Sequence, residues 1–112
     1  MPEAATNNLV RGTLDVMVLR ALAREELHGF AIARWIRDTG GEAVTFEDAA
    51  LYQALHRLQR KGLVESSWGR SENNRRARFY HLTAKGRKKL SQEAEAFRSF
   101  ASAVTRLLDM PS

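Results

Sequence analysis

The chain has 112 residues, of which 44% are hydrophobic and 28% charged, with no cysteine and a formal net charge of +5. This size allows one domain with a small core, and the lack of cysteine excludes disulfides and thiolate metal sites. No stretch approaches the roughly 18 apolar residues that span a bilayer, and the start "MPEAATNNLV" has neither the basic end nor the apolar run of a secretion signal, so a cytoplasmic protein without membrane contact is expected.

Taken in chain order, residues 1–8 read as a flexible terminus. "NNLVRGTLDVMVLRALAREELHG" then carries Leu14, Met17, Val18, Ala21 and Leu22 at helical spacing. This helix is expected to begin between Leu9 and Thr13, with Gly12 leaving the start open, and to end near Arg24. "EELHG" reads as a short turn. A second helix, "HGFAIARWIRDTGG", turns Phe30, Ile32, Ala33 and Ile36 inward and stops at Gly40-Gly41.

A third helix runs from Thr45 to Lys61. Thr45 is the expected N-cap, and Glu47 and Asp48 lie in the first turn, where negative charge suits the helix dipole. Leu51, Ala54, Leu55 and Leu58 form the inward stripe, and Gly62 stops the helix. At about 100° per residue the opposite side carries Ala49, Gln53, His56 and Arg60, flanked by Tyr52 and Arg57. That face is small, polar and basic.

"LVESSW" and "RFYHL" alternate loosely and are rich in aromatic or β-branched residues, and the "GRSENNRRA" between them is made of turn formers. Together they read as an antiparallel hairpin. Asn73 to Arg76 form its tip, and Trp68 with Phe79 or Tyr80 anchors it to the body. Thr83 caps the last helix. There Leu90, Ala94, Phe97, Ala101, Val104 and Leu108 recur at spacings of 4 and 3, with Phe100 and Leu107 widening the stripe. A small domain cannot bury that seam alone, so a partner helix is the expected cover, against the plainer option that the helix folds back on its own domain.

Charge is unevenly placed. Arg57 to Lys89 holds 11 basic and 2 acidic residues, a net +9, while the rest of the chain carries −4. Such asymmetry points to a polyanionic partner met by one face. Three helices followed by a hairpin is the order of a winged helix-turn-helix, a mainly α fold with a small β-hairpin. In that architecture the third helix enters the major groove and the hairpin lies along phosphates, and here both carry the positive charge. Arg75 and Arg76 can neutralise phosphates or enter a narrow minor groove, Asn73 and Asn74 permit the turn, and Gln53, His56 and Arg60 can reach base edges.

"LRALAREELHGFAIARWI", "LYQALHRLQRKGLVES" and "SENNRRARFYHLTAKGRKKL" resemble the PadR family of phenolic-acid-responsive repressors, in its branch with a single short C-terminal helix. The resemblance covers about Leu9 to Leu108. It implies a homodimeric winged-helix transcription factor, usually a repressor on a palindromic operator, with residues 9–82 binding double-stranded DNA and the helix of 83–112 forming the dimer. By resemblance Tyr52, its helix neighbours and the basic wing residues Arg75, Arg76 and Arg78 touch DNA, to which Asn73 and Asn74 add polar groups that can contact the backbone. The dimer interface would hold Met17 from the first helix and Leu90, Ala94, Phe97, Phe100, Ala101, Val104, Leu107 and Leu108 from the last. Two departures from the family's pattern matter: Ala49-Ala50 replaces the common Gly-Ser, losing a hydroxyl contact, and Gln53 replaces the common Pro, restoring an N–H and adding a donor and acceptor. Where such proteins sense small aromatics, the ligand lies at the dimer interface. Met17, Trp35, Phe97 and Phe100 would line it here, although ordinary packing accounts for the same residues.

No cofactor or metal is expected. His28, His56 and His81 fall on three different elements without metal-ligand spacing, and His28 reads as a helix-start or packing residue. No serine sits in a nucleophile elbow, which argues against an enzyme. The remaining rival is a winged helix that binds protein instead of DNA, for which the basic wing would be superfluous.

Overall fold

The computed structural model describes residues 2–112, with side chains from Gly12 onward; the flexible stretch expected over residues 1–8 falls outside the residues described with side chains. The elements are α1 (Pro2–Arg24), β1 (Leu27–His28), α2 (Gly29–Gly40), α3 (Asp48–Arg60), β2 (Val64–Arg70), β3 (Arg76–Leu82) and α4 (Ala84–Leu108). Helix α1 thus begins before the expected start, and Gly12 lies within it. One core unites the domain: Leu14, Val18, Leu19 and Leu22 of α1, Ile32 and Ile36 of α2, the predicted stripe Leu51, Ala54, Leu55 and Leu58 of α3, and Val64, Tyr80 and Leu82 of the sheet.

The expected hairpin is the larger part of a three-stranded antiparallel sheet of order β1-β3-β2. The third strand is the segment read as a turn: Leu27 pairs with Tyr80 and His28 with Phe79. His28 then caps α2, its Nδ1 accepting from the Ala31 N–H at 3.2 Å, and packs edge-on to Phe79 with ring centroids 5.3 Å apart. One residue thereby closes a strand and opens a helix. Phe30, expected to face inward, is 66% exposed; Gly29 takes the buried place beside Ile32, Ala33 and Ile36.

Helix α3 starts two residues later than expected. Its N-cap is Glu47, whose carbonyl accepts from Ala50 and Leu51 N–H, whereas Thr45 is exposed and outside the helix. The cause is Arg37 of α2. Its guanidinium donates to the Phe46 carbonyl and to Asp48 Oδ1, each at 2.9 Å, and lies 4.3 Å over the Phe46 ring, pinning the chain extended up to Glu47. At the other end Gly62 has φ 75°, with Gly62 N–H bonded to Gln59 and Leu63 N–H to Leu58, the double closure that ends a helix in a left-handed residue.

Thr83 caps α4 as expected. Its Oγ1 accepts from Gly86 N–H at 2.9 Å while donating to the Gly62 carbonyl at 2.8 Å, and Lys85 Nζ donates to the Lys61 carbonyl. The start of α4 is thus tied to the end of α3. Gly86 is buried there, and a Cβ on it would overlap the Leu63 carbonyl oxygen and press on Leu82 Cδ1. Alanine normally favours a helix over glycine by about 1 kcal/mol. Here the obstruction is backbone and cannot swing away, so the sign reverses. Gly86→Ala is expected to cost about 1–3 kcal/mol and to lower the midpoint of thermal unfolding, followed by circular dichroism at fixed concentration, by more than about 4 °C; an unchanged or raised midpoint would contradict this packing.

Candidate nucleic-acid interface

The core-facing side of α3 is fully used, so its other side is left to solvent. Ala49, Tyr52, Gln53, His56 and Arg60 are exposed and Ala50 is partly covered. Gln53, His56, Arg57 and Arg60 line one shallow depression on that side. Arg57 is a different kind of residue from its neighbours. Its Nη2 meets Asp15 Oδ1 of α1 at 2.7 Å, with both side chains only 20% exposed. An arginine so engaged ties α3 to α1 and is not a free cation beside Arg60, a distinction the helical wheel could not draw.

The wing is built by a short turn. Asn74 N–H bonds to the Ser71 carbonyl at 2.8 Å, Ser71 N–H to the Arg75 carbonyl at 2.9 Å, and Asn74 takes φ 58°. Asparagine is among the few side chains that accept this left-handed backbone readily. Arg70 steadies the turn by donating to the Asn74 carbonyl. Arg76 lies not at the tip but in β3, opposite Arg70. The exposed turn is therefore centred on Glu72, Asn73 and Asn74, with Arg75 at its exit.

The register places Val64, Ser66, Trp68 and Arg70 on the same side of the sheet as Leu82, Tyr80, Arg78 and Arg76. At the base this side is core; toward the tip it outruns the body and becomes aromatic and basic. Trp68 is 55% exposed and so does not anchor the wing. It carries the Arg76 guanidinium 4.2 Å and the Arg78 guanidinium 4.9 Å from its ring centre. Anchoring falls to Tyr80, which is buried, and to Phe79, which packs on His28. Burial raises the Tyr80 pKa above its ordinary 10.0, with Arg78 working in the opposite direction.

Between wing and helices lies an open groove of about 770 Å³. Tyr52 of α3, Trp68, Arg75, Arg76 and Arg78 of the wing, and Phe30 and Arg34 of α2 share its walls. Tyr52 reaches it by lying over the first turn of α2: a Cβ on Gly29 would meet the Tyr52 ring at 2.6 Å. That explains the His-Gly-aromatic sequence at 28–30, in which His28 caps, Gly29 admits the tyrosine and Phe30 faces out. Arg34 escaped the sequence analysis, which weighed only the inward side of this helix; its spacing of four from Phe30 places both on one outward side.

Among the described residues, Arg34, Arg60, Arg70, Arg75, Arg76 and Arg78 have no carboxylate partner. The one acid in the turn, Glu72, leans toward His28 Nε2 at 3.6 Å. The candidate surface is thus a cluster of uncompensated guanidinium groups with aromatic and amide side chains between them. No group of three or more possible metal ligands occurs among the described residues, and no helix among them is long and apolar enough to cross a membrane.

The proposed dimer seam divides in two. Met17 and Leu90 pack against the protomer's own core and Ala94 is partly covered. From Phe97 onward the large apolar side chains of the seam are open to solvent. Phe97, Phe100, Val104, Leu107 and Leu108 are exposed, followed by Met110 beyond the helix, which the sequence analysis did not include. Phe97 and Phe100 also border an apolar groove of about 300 Å³ with Gly12, Thr13 and Val16 of α1. Of the four residues considered for an effector, Met17 and Trp35 belong to the protomer's core packing, with Arg24 lying over the Trp35 ring at 5.2 Å.

Three core helices, a small sheet and a basic wing beside an outward helix face define a winged helix-turn-helix protein. Residues 18–92 match the transcriptional regulator PadR-like family. Solved structures agree with the match. A transcriptional regulator from Clostridium thermocellum is 26% identical, with a TM-score of 0.78 over 88% of this chain and 93% of that one. A PadR family transcriptional regulator from Eggerthella lenta is 28% identical, with a TM-score of 0.76 over 97% and 93%. A PadR-like regulator from Bacillus cereus, 21% identical, shares the fold with a TM-score of 0.79 over 93% and 99%. An uncharacterised protein from Lysinibacillus sphaericus is 26% identical over 77% of this chain and 79% of its own length. The chain belongs to the PadR-like family of transcriptional regulators, whose members are DNA-binding proteins and not enzymes.

Proposed function

We propose that the protein is a cytoplasmic homodimeric repressor that binds a palindromic operator. Residues 9–82 form the DNA-binding head and residues 83–112 the dimerisation helix. Helix α3 lies in the major groove with Ala49 and Ala50 allowing close approach at its start, and Gln53, His56 and Arg60 at base edges or phosphates. Asn73, Asn74, Arg75, Arg76 and Arg78 grip the neighbouring backbone from the wing, and Tyr52 stands between the two. Arg34 extends the same grip from α2. Arg57 contributes by holding α3 against α1. The observation that carries this reading is the groove shared by Tyr52, Arg34, Arg75, Arg76 and Arg78, the arginines without carboxylate partners among the described residues and meeting where a duplex backbone would run. A small aromatic effector would meet Phe97 and Phe100 at the dimer seam.

Operator affinity is expected to fall steeply with salt. Four neutralised phosphates per protomer correspond to a log–log slope of roughly −7 for the dimer, at about −0.9 each. Fluorescence anisotropy with a labelled operator, found by footprinting the adjacent promoter, measures it from about 50 to 200 mM salt. A slope near zero would overturn the phosphate-gripping role, and absence of binding to any duplex would favour a winged helix that recruits protein.

A further inference from the structure

We propose that Trp68 is a positioning residue of the wing, its indole holding the Arg76 and Arg78 guanidinium groups ready for the same run of phosphates. The inference rests on the DNA-binding reading and adds to it a residue that makes no phosphate contact of its own. Trp68 stands directly across the β2–β3 ladder from Arg78, and Arg76 projects two residues along on the same side. Both guanidinium groups lie within 5 Å of one ring centre. Neither has a carboxylate partner among the described residues, and the ring itself is 55% exposed and borders the groove.

Each part of this arrangement has a physical consequence. Two arginines at i and i+2 on one side of a strand repel, and each has a long, mobile side chain. The negative face of an indole offsets part of that repulsion and favours the guanidinium in place. A guanidinium lying over a ring keeps its N–H edge free, and that edge is the part that binds phosphate oxygens in pairs. Cations held before DNA arrives lose less freedom on binding, so affinity rises without any added contact to the nucleic acid. An exposed tryptophan that merely filled space would need a core to fill, and Trp68 lies where the sheet has already left the core.

The test is a mutational cycle with the full-length chain and a duplex of fixed sequence. Trp68→Leu is expected to weaken binding roughly tenfold, with Trp68→Phe retaining most of the affinity because it keeps a ring face. On an Arg76→Ala/Arg78→Ala background the same Trp68→Leu change is expected to do nothing further, since its effect passes through those two arginines. Thermal unfolding of each variant confirms the fold. Trp68→Leu binding as tightly as wild type overturns the inference. A loss that persists undiminished on the arginine-free background also overturns it, making Trp68 a direct contact to DNA. Both results leave the DNA-binding reading intact, whereas a wild-type chain that binds no duplex overturns that reading and this inference together.

Discussion

Replacing Arg75 and Arg76 together by alanine is expected to weaken binding to the operator and to random duplex by the same factor, about a hundredfold to a thousandfold at 0.15 M salt. The size follows from counting. Two phosphates lost per protomer are four per dimer, each bringing about 0.9 to the salt slope, so the slope should also fall by between 3 and 4. The equal effect on both duplexes follows from what the arginines face. Both are exposed, at and just beyond the exit of the turn, and the backbone they would meet is the same for every sequence. Folding should survive, because neither side chain enters the core and exposed substitutions of this kind stay within about 0.5 kcal/mol. Filter binding with the two duplexes across a salt series reads both quantities. Loss of operator binding alone would mean that the wing reads bases, for instance from a narrow minor groove.

Much of this site was legible because local rules and tertiary needs agreed. The inward stripe Leu51, Ala54, Leu55 and Leu58 leaves only one possible outward face, and Thr83 and Gly62 mark helix ends through bonds made within a few residues. What escaped depended on partners distant in sequence. A strand of two residues has no period to detect, and β1 exists because Tyr80 and Phe79 offer it an edge. Phe30 and Trp68 look like core by residue type, yet one faces out so that Gly29 can admit Tyr52, and the other sits past the end of the core. Arg57 and Arg60 look alike on a helical wheel, and only the position of Asp15 on α1 separates a tie from a free cation. Thr45 is a better cap by type than Glu47, but Arg37 fixes the chain at Phe46 and delays the helix.

The proposed dimer is the second place where a large effect is expected. Phe97, Phe100, Val104, Leu107 and Leu108 fall within about 100° of the α4 circumference, an exposed apolar stripe. Phe97 and Val104 are 45% and 37% exposed in the protomer, so glutamate at either place should leave the folded head intact. In a dimer those positions would be enclosed, and two unpaired carboxylates per protomer would be stripped of water. Phe97→Glu/Val104→Glu is therefore expected to shift the mass in light scattering from twice 12.7 kDa to 12.7 kDa. Operator affinity should fall with it by about a thousandfold or more. A tethered second head acts at an effective concentration near millimolar, and a half-site dissociation constant near micromolar makes that factor about 10³. Half-sites about 34–36 Å apart can be used together only by a joined pair. Ser99→Glu/Ser102→Glu supplies the matched control. These serines are exposed and lie roughly 140° to 200° around the helix from Phe97, so the same added charge should leave mass and affinity little changed. If both double variants remain dimeric, the chains join through another surface; if both become monomeric, the whole circumference of α4 is enclosed and the stripe is not what selects the partner.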